Sequence, residues 1–169
     1  MGKSRAALPV ALVLVVAALA AVARATPPSG ILSSPVMARA AFVDRVDLKF
    51  TVQASHDGAE VVRVNGAQDT VMQQIVFGPG GQTGWHSHPG PVVVLVKSGE
   101  LTFYAEDDPT CTGRTYSAGQ AFVDSGQGHV HTARNLSPTQ NTELWATYFD
   151  VPPGGAFRLD AAAPGNCPF

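Results

Sequence analysis

From Ala40 onward the apolar residues alternate with polar ones instead of recurring every three or four, and that period confines the chain to strands. In "VDLKFTV" Val46, Leu48, Phe50 and Val52 fall on one face, with Asp47, Lys49 and Thr51 on the other. Further strand-like runs occupy 60–64, 70–77, 91–97, 100–106, 114–117, 120–124, 129–135 and 142–151. Between them lie "HDGA", "GPGGQTG", "SG", "DDPTCTG", "SGQG" and "LSPTQN", all of which carry turn chemistry. The segment closest to a helical period is "VMARAAFVDRV" (36–46), which is expected to form a short helix. Many short strands with frequent turns predict one all-β domain, a sandwich or a barrel.

The N-terminus reads differently. Lys3 and Arg5 precede the apolar run "AALPVALVLVVAALAAVA", and Ala23-Arg24-Ala25 gives a small-x-small cleavage pattern. Residues 1–25 are therefore expected to be a signal peptide cut after Ala25, which sends the protein to a secreted, periplasmic or cell-surface location. An uncleaved membrane anchor is the alternative, because the uncharged stretch just reaches spanning length. Residues 26–39 open with "TPPSGILSSP", rich in Pro, Ser and Gly, and are expected to be a disordered lead-in. The last residues, 156–169, are set apart as a tail.

The 169 residues less these 25 leave 144, about one domain. Removing Lys3, Arg5 and Arg24 from the 11 basic residues leaves 8 against 13 acidic ones, a net charge of −5. Such a chain has no electrostatic reason to hold nucleic acid or, once cleaved, an anionic membrane. Cys111 and Cys167 are the only cysteines. An even count in an exported chain predicts one disulfide, joining the "DDPTCTG" loop to the tail.

Four of the five histidines fall in two His-x-His pairs, His86/His88 and His129/His131. On a strand, residues two apart point the same way, so each pair is expected to share a face. Two pairs on neighbouring strands can bring several neutral nitrogens to one centre, as a divalent metal needs. His56, in the "SHDG" turn, is read as an ordinary surface histidine. Gln73 and Gln74 are unusual in mid-strand, and an inward glutamine could orient a ligand histidine or a metal-bound water.

"GGQTGWHSHPGPVVVLVKSG" resembles the first motif of the cupins, G-x5-H-x-H-x3,4-E-x6-G, with Gly80, His86, His88 and Gly99 in place. "GQAFVDSGQGHVHTARN" resembles their second motif through Gly128, His131 and Asn135. The resemblance covers roughly 40–155, and the tail looks like the ending of small exported bacterial cupins. It implies a single-domain jelly roll, or double-stranded β-helix. It also implies a divalent metal (Fe, Mn, Zn, Cu or Ni) held by His86, His88 and His131, with His129 a rival or fourth ligand, or a proton shuttle. The carboxylate ligand of the first motif does not carry over: seven positions before Gly99 stands Val92, followed by Val93. Glu100 on the next strand is the weaker candidate to replace it.

An apolar cavity lined by Val92, Val94, Val96 and Phe122 is expected beside the histidines. Three readings stay open: a metal-dependent, O₂-using oxidoreductase of dioxygenase type; a metal-stabilised module that binds or senses a small ligand; and a structural domain with empty histidines. The resemblance also leaves room for a homodimer paired through an edge strand, for which 46–52 is the candidate.

Overall fold

The computed structural model describes residues 25–54 and 58–169. The expected signal peptide, up to residue 24, and His56 lie outside them. Among these residues thirteen strands occur in order: β1 (Ser29–Ser33), β2 (Val36–Ala41), β3 (Leu48–Ala54), β4 (Gly58–Val64), β5 (Asp69–Gln82), β6 (His86–Ser87) and β7 (Val92–Ser98). They continue as β8 (Glu100–Ala105), β9 (Arg114–Ser117), β10 (Ala121–Asp124), β11 (His131–Arg134), β12 (Thr142–Val151) and β13 (Leu159–Asp160). No helix occurs among the described residues.

The backbone of the barrel is the order β10-β7-β12-β5-β11-β6-β13, with β1 and β2 added on β5 and β8-β9 added on β11. All these pairings are antiparallel. β5 turns the corner between layers: its first part pairs with β12 from Asp69 to Phe77, and its end meets β11 at Gln82↔Arg134. The glycines of "FGPGGQ" fall in the stretch between, where a strand changing sheets has to bend. The result is a nearly closed all-β jelly roll.

The alternation read from sequence decides what points inward. Val92, Val94 and Val96 of β7 are buried while Leu95 between them is 47% exposed. Leu144, Ala146 and Tyr148 of β12 join them, with Phe77, Leu101 and Val151, in one apolar core. β3 and β4 form a separate two-stranded sheet, in which Leu48, Phe50 and Val52 are half-buried, as is Val46 just before it.

Two expectations for the N-terminal region are overturned. The expected disordered lead-in, 26–39, holds β1 and most of β2, and 36–46 is not a helix: β1 and β2 are strands laddered on β5. Every side chain of β2 is exposed, so backbone pairing rather than burial holds it there. The tail is ordered as well. β13 pairs with β6, and Cys111 is bonded to Cys167 with their Cα atoms 5.2 Å apart.

Candidate metal centre

The two histidine-bearing segments meet because β11 lies antiparallel to β6 with His131 directly opposite His86. Cross-strand partners in such a ladder present their side chains to one face. His88 follows just beyond β6 and turns to the same side, so the three rings approach pairwise with centroids 4.3, 4.8 and 5.1 Å apart. One nitrogen from each lies within 4.8 Å of the others. All three are buried, at 5, 4 and 4% exposure for His86, His88 and His131.

Hydrogen bonds fix which nitrogen is free on two of them. His86 Nδ1 lies 2.9 Å from the Gly84 carbonyl and His88 Nδ1 2.6 Å from the Phe157 carbonyl. A carbonyl only accepts, so each Nδ1 carries the proton and each Nε2 keeps its lone pair. His131 is held by packing, with Phe103 stacked on it at 4.8 Å. Its Nδ1 has no hydrogen-bond partner.

Burial keeps the rings neutral. It pushes His88 down to about 4 and His131 to about 3, and it holds His86 well below the ordinary imidazole range. Repulsion from His131 adds to this at His86 and His88, and the Arg158 guanidinium acts in the same direction on all three. Neutral imidazoles with inward lone pairs are what a divalent ion requires. The void between them is about 40 Å³, bounded also by Val92, Val94, Phe122 and Tyr148. That is space for one ion and a water or two.

Asp124, at the end of β10, is a residue that sequence reasoning missed. It is 5% exposed, and burial raises its carboxyl above the usual range. Oδ1 accepts from the Gly126 N–H at 3.1 Å. Oδ2 has no hydrogen-bond partner and lies 3.7 Å from His88 Nε2 and 3.6 Å from His131 Nε2. A signal for it was available: with period two, Asp124 shares the face of Phe122, so a carboxylate stands on an apolar face. The loop that follows depends on Gly126, whose φ is +59°, because a Cβ there would overlap the Gly90 carbonyl.

The other candidates separate from the group. His129 lies just before β11, exposed and outside the three-histidine cluster. It lines instead a cleft of about 470 Å³ that reaches Asp124 and His131 from one side. Glu100 is exposed and accepts from Ser117, remote from the rings. Gln73 lines a second cavity, of about 220 Å³, which opens on His86 and His88. It accepts from the Tyr148 hydroxyl at 2.9 Å and donates to the Ser34 carbonyl. Gln74 takes the opposite direction, as its neighbour in a strand must, and donates to Glu143.

Fold and site together define the class: an all-β jelly-roll barrel with a buried histidine cluster inside it. No family model and no curated protein matches the sequence. Among solved structures, an oxalate oxidase is 27% identical over 48% of this chain, at a TM-score of 0.41. The chain spans 41% of that protein's length. A cupin-like protein from Thermotoga maritima is 26% identical, with 46% of this chain and 55% of that one covered, at a TM-score of 0.41. A Klebsiella pneumoniae protein with a double-stranded β-helix domain is 20% identical over 69% of this chain and 85% of its own, at 0.45.

Proposed function

We propose that this is an exported metal-binding protein in which His86, His88 and His131 hold a divalent ion, and that it works on a small molecule as a dioxygenase-type oxidoreductase. The observation that carries the reading is the 220 Å³ cavity opening on two of three buried, neutral imidazoles. Such an ion supplies a Lewis acid and, if it is iron or manganese, a centre able to engage O₂.

The chain's own groups would do the rest. The Gly84 and Phe157 carbonyls hold the ligand tautomers. Ile31, Ile75 and Phe157 give the cavity an apolar wall that limits water. Burial raises the Tyr148 phenol well above its ordinary range, so it stays a protonated donor. Arg158, at the cavity, donates to the Thr83 carbonyl at 2.7 Å and is paired with Asp160 at 2.7 Å, which holds its guanidinium where an anionic group on the ligand would meet it.

Elemental analysis of the untagged, secreted protein beside a His86→Ala/His88→Ala variant tests the metal. Near one equivalent in the first and almost none in the second is expected. Less than about a tenth of an equivalent in the wild type after reconstitution removes the reading. Oxygen uptake by Fe²⁺-loaded protein over a panel of catechols and thiols is the test of turnover.

One observation favours the alternative, a non-catalytic module that binds or senses a small ligand. Tyr148, Gln73 and Arg158 are each tied to other protein groups, which leaves no unengaged acid or base facing the cavity. Ligand binding without oxygen uptake is its signature. Export belongs to the same proposal. The disulfide supports an oxidising compartment, and N-terminal sequencing of secreted protein should begin at Thr26. A homodimer along the β3 edge, seen as a doubled mass in light scattering, completes it.

A further inference from the structure

We infer that Asp124 is a fourth ligand of the metal, an anionic one, supplied from β10 in place of the carboxylate that the β7 segment lacks. The inference rests on the three-histidine reading above and adds a donor to it.

The register carries it. β10 runs antiparallel to β7, and Asp124 is the direct partner of Val92. Val92 is the position at which the first motif calls for a carboxylate, and here it is an apolar residue buried in the barrel. Directly opposed residues on antiparallel strands lie about 5 Å apart and face the same way. A carboxylate at 124 therefore enters the same space as one at 92, from the neighbouring strand. Val92 and Asp124 both line the void around the histidines.

Distance to two of the three histidines agrees with the register, while toward His86 the carboxylate stands outside the group whose ligand atoms lie within 4.8 Å of one another and has to close in on a bound ion. Donors that share one ion at about 2.1 Å stand roughly 3.0 Å apart at right angles and about 4.2 Å apart when opposed. Oδ2 is 3.6 and 3.7 Å from the Nε2 atoms of His131 and His88. Those separations are too long for hydrogen bonds and fall inside the range for atoms that share a cation. The same oxygen is buried with no hydrogen-bond partner, while Oδ1 is anchored by the Gly126 N–H. A buried carboxylate oxygen that lies between two neutral imidazoles without a hydrogen bond is one that a cation held among them would satisfy.

The consequence is chemical. Three imidazoles leave a divalent ion its full charge, whereas an added carboxylate lowers it by one and favours harder ions over Cu⁺. Asp124→Asn keeps the shape, and its amide oxygen can still accept from Gly126, so it removes the charge alone. In Co²⁺ titrations of the wild type, its visible absorption bands report the ligand field. The variant is expected to bind Co²⁺ at least about tenfold more weakly, with shifted bands. Equal affinity with unchanged bands overturns the inference and leaves the three-histidine reading standing. Absence of Co²⁺ binding by the wild type overturns both. Should the variant not fold, infrared difference spectra of wild-type protein labelled with ¹³C-carboxyl aspartate decide the matter. A metal-induced carboxylate shift carrying the isotope is expected, and its absence overturns the inference.

Discussion

An imidazole enclosed by apolar side chains has one low-energy state, the neutral one, because desolvation penalises the cation. This makes the stability of the metal-free protein depend on acid, and the sign follows from the depressed values. Unfolded, His88 and His131 take up a proton near pH 6.5; folded, they do so only at about 4 and about 3. Their contribution is complete above about pH 6.5 and is lost as the pH falls toward the folded values, by up to about 1.4 kcal/mol per pH unit for each ring. Asp124, raised by burial, acts with the opposite sign and offsets part of the loss. Urea midpoints of chelator-treated protein should therefore fall between pH 7 and 4; a flat profile would mean that the rings are not buried as neutral groups. At this scale the sequence was informative about the histidines and silent about Asp124. The histidines announce themselves by spacing, whereas the role of an aspartate at a strand end becomes visible only once the register places it opposite Val92.

At the scale of elements, what could be read was whatever burial imprints on the sequence. β7 and β12 each have one face in the core and show period two, and β3 shows it through its half-buried face. β2 has no buried side chain, so its order of residues carries no period, and the local preference of "VMARAA" for helix gave the wrong expectation. β13 is two residues long and exposed, held by pairing with β6. His129 was misplaced for a related reason: Gly128, at φ +92°, belongs to the turn that delays β11 until His131. The unforeseen elements nevertheless bear on the site. Thr26 Oγ1 accepts from the N–H of Trp85, the residue before His86, and its own N–H donates to the Ala161 carbonyl. Trp85 is 2% exposed, so removing that acceptor should leave a largely dry N–H unpaired. Thr26→Val, which keeps the shape, should cost about 1–3 kcal/mol in denaturant unfolding. A loss below about 0.5 kcal/mol would show that water reaches the loop and that the N-terminal segment does not brace it.

Over the whole molecule, the disulfide does more than shorten the unfolded chain. It joins Cys111, in the loop after β8, to Cys167 across 56 residues, and in the chain-entropy view such a closure is worth roughly 4 kcal/mol. The tail so tied also carries Phe157, whose carbonyl sets the ring of His88, and Arg158, which donates to Thr83 at the cavity. Asn166, beside Cys167, donates to the carbonyls of Ala105 and Asp108 and fastens the tail to the end of β8, where Ala105 pairs with His131. The bridge and the metal site are thus parts of one mechanical unit. Its other fastening is β13, together with the Ala161 N–H donating to the Trp85 carbonyl. A Cys111→Ser/Cys167→Ser variant should therefore lose stability by about 2–4 kcal/mol. It should also bind Co²⁺ more weakly, by up to about tenfold, the low end of what loss of an orienting partner costs a ligand histidine. The two effects separate in a titration at low temperature, where the variant is fully folded: unchanged affinity there would assign the bridge to stability alone and leave the orientation of His88 to β13.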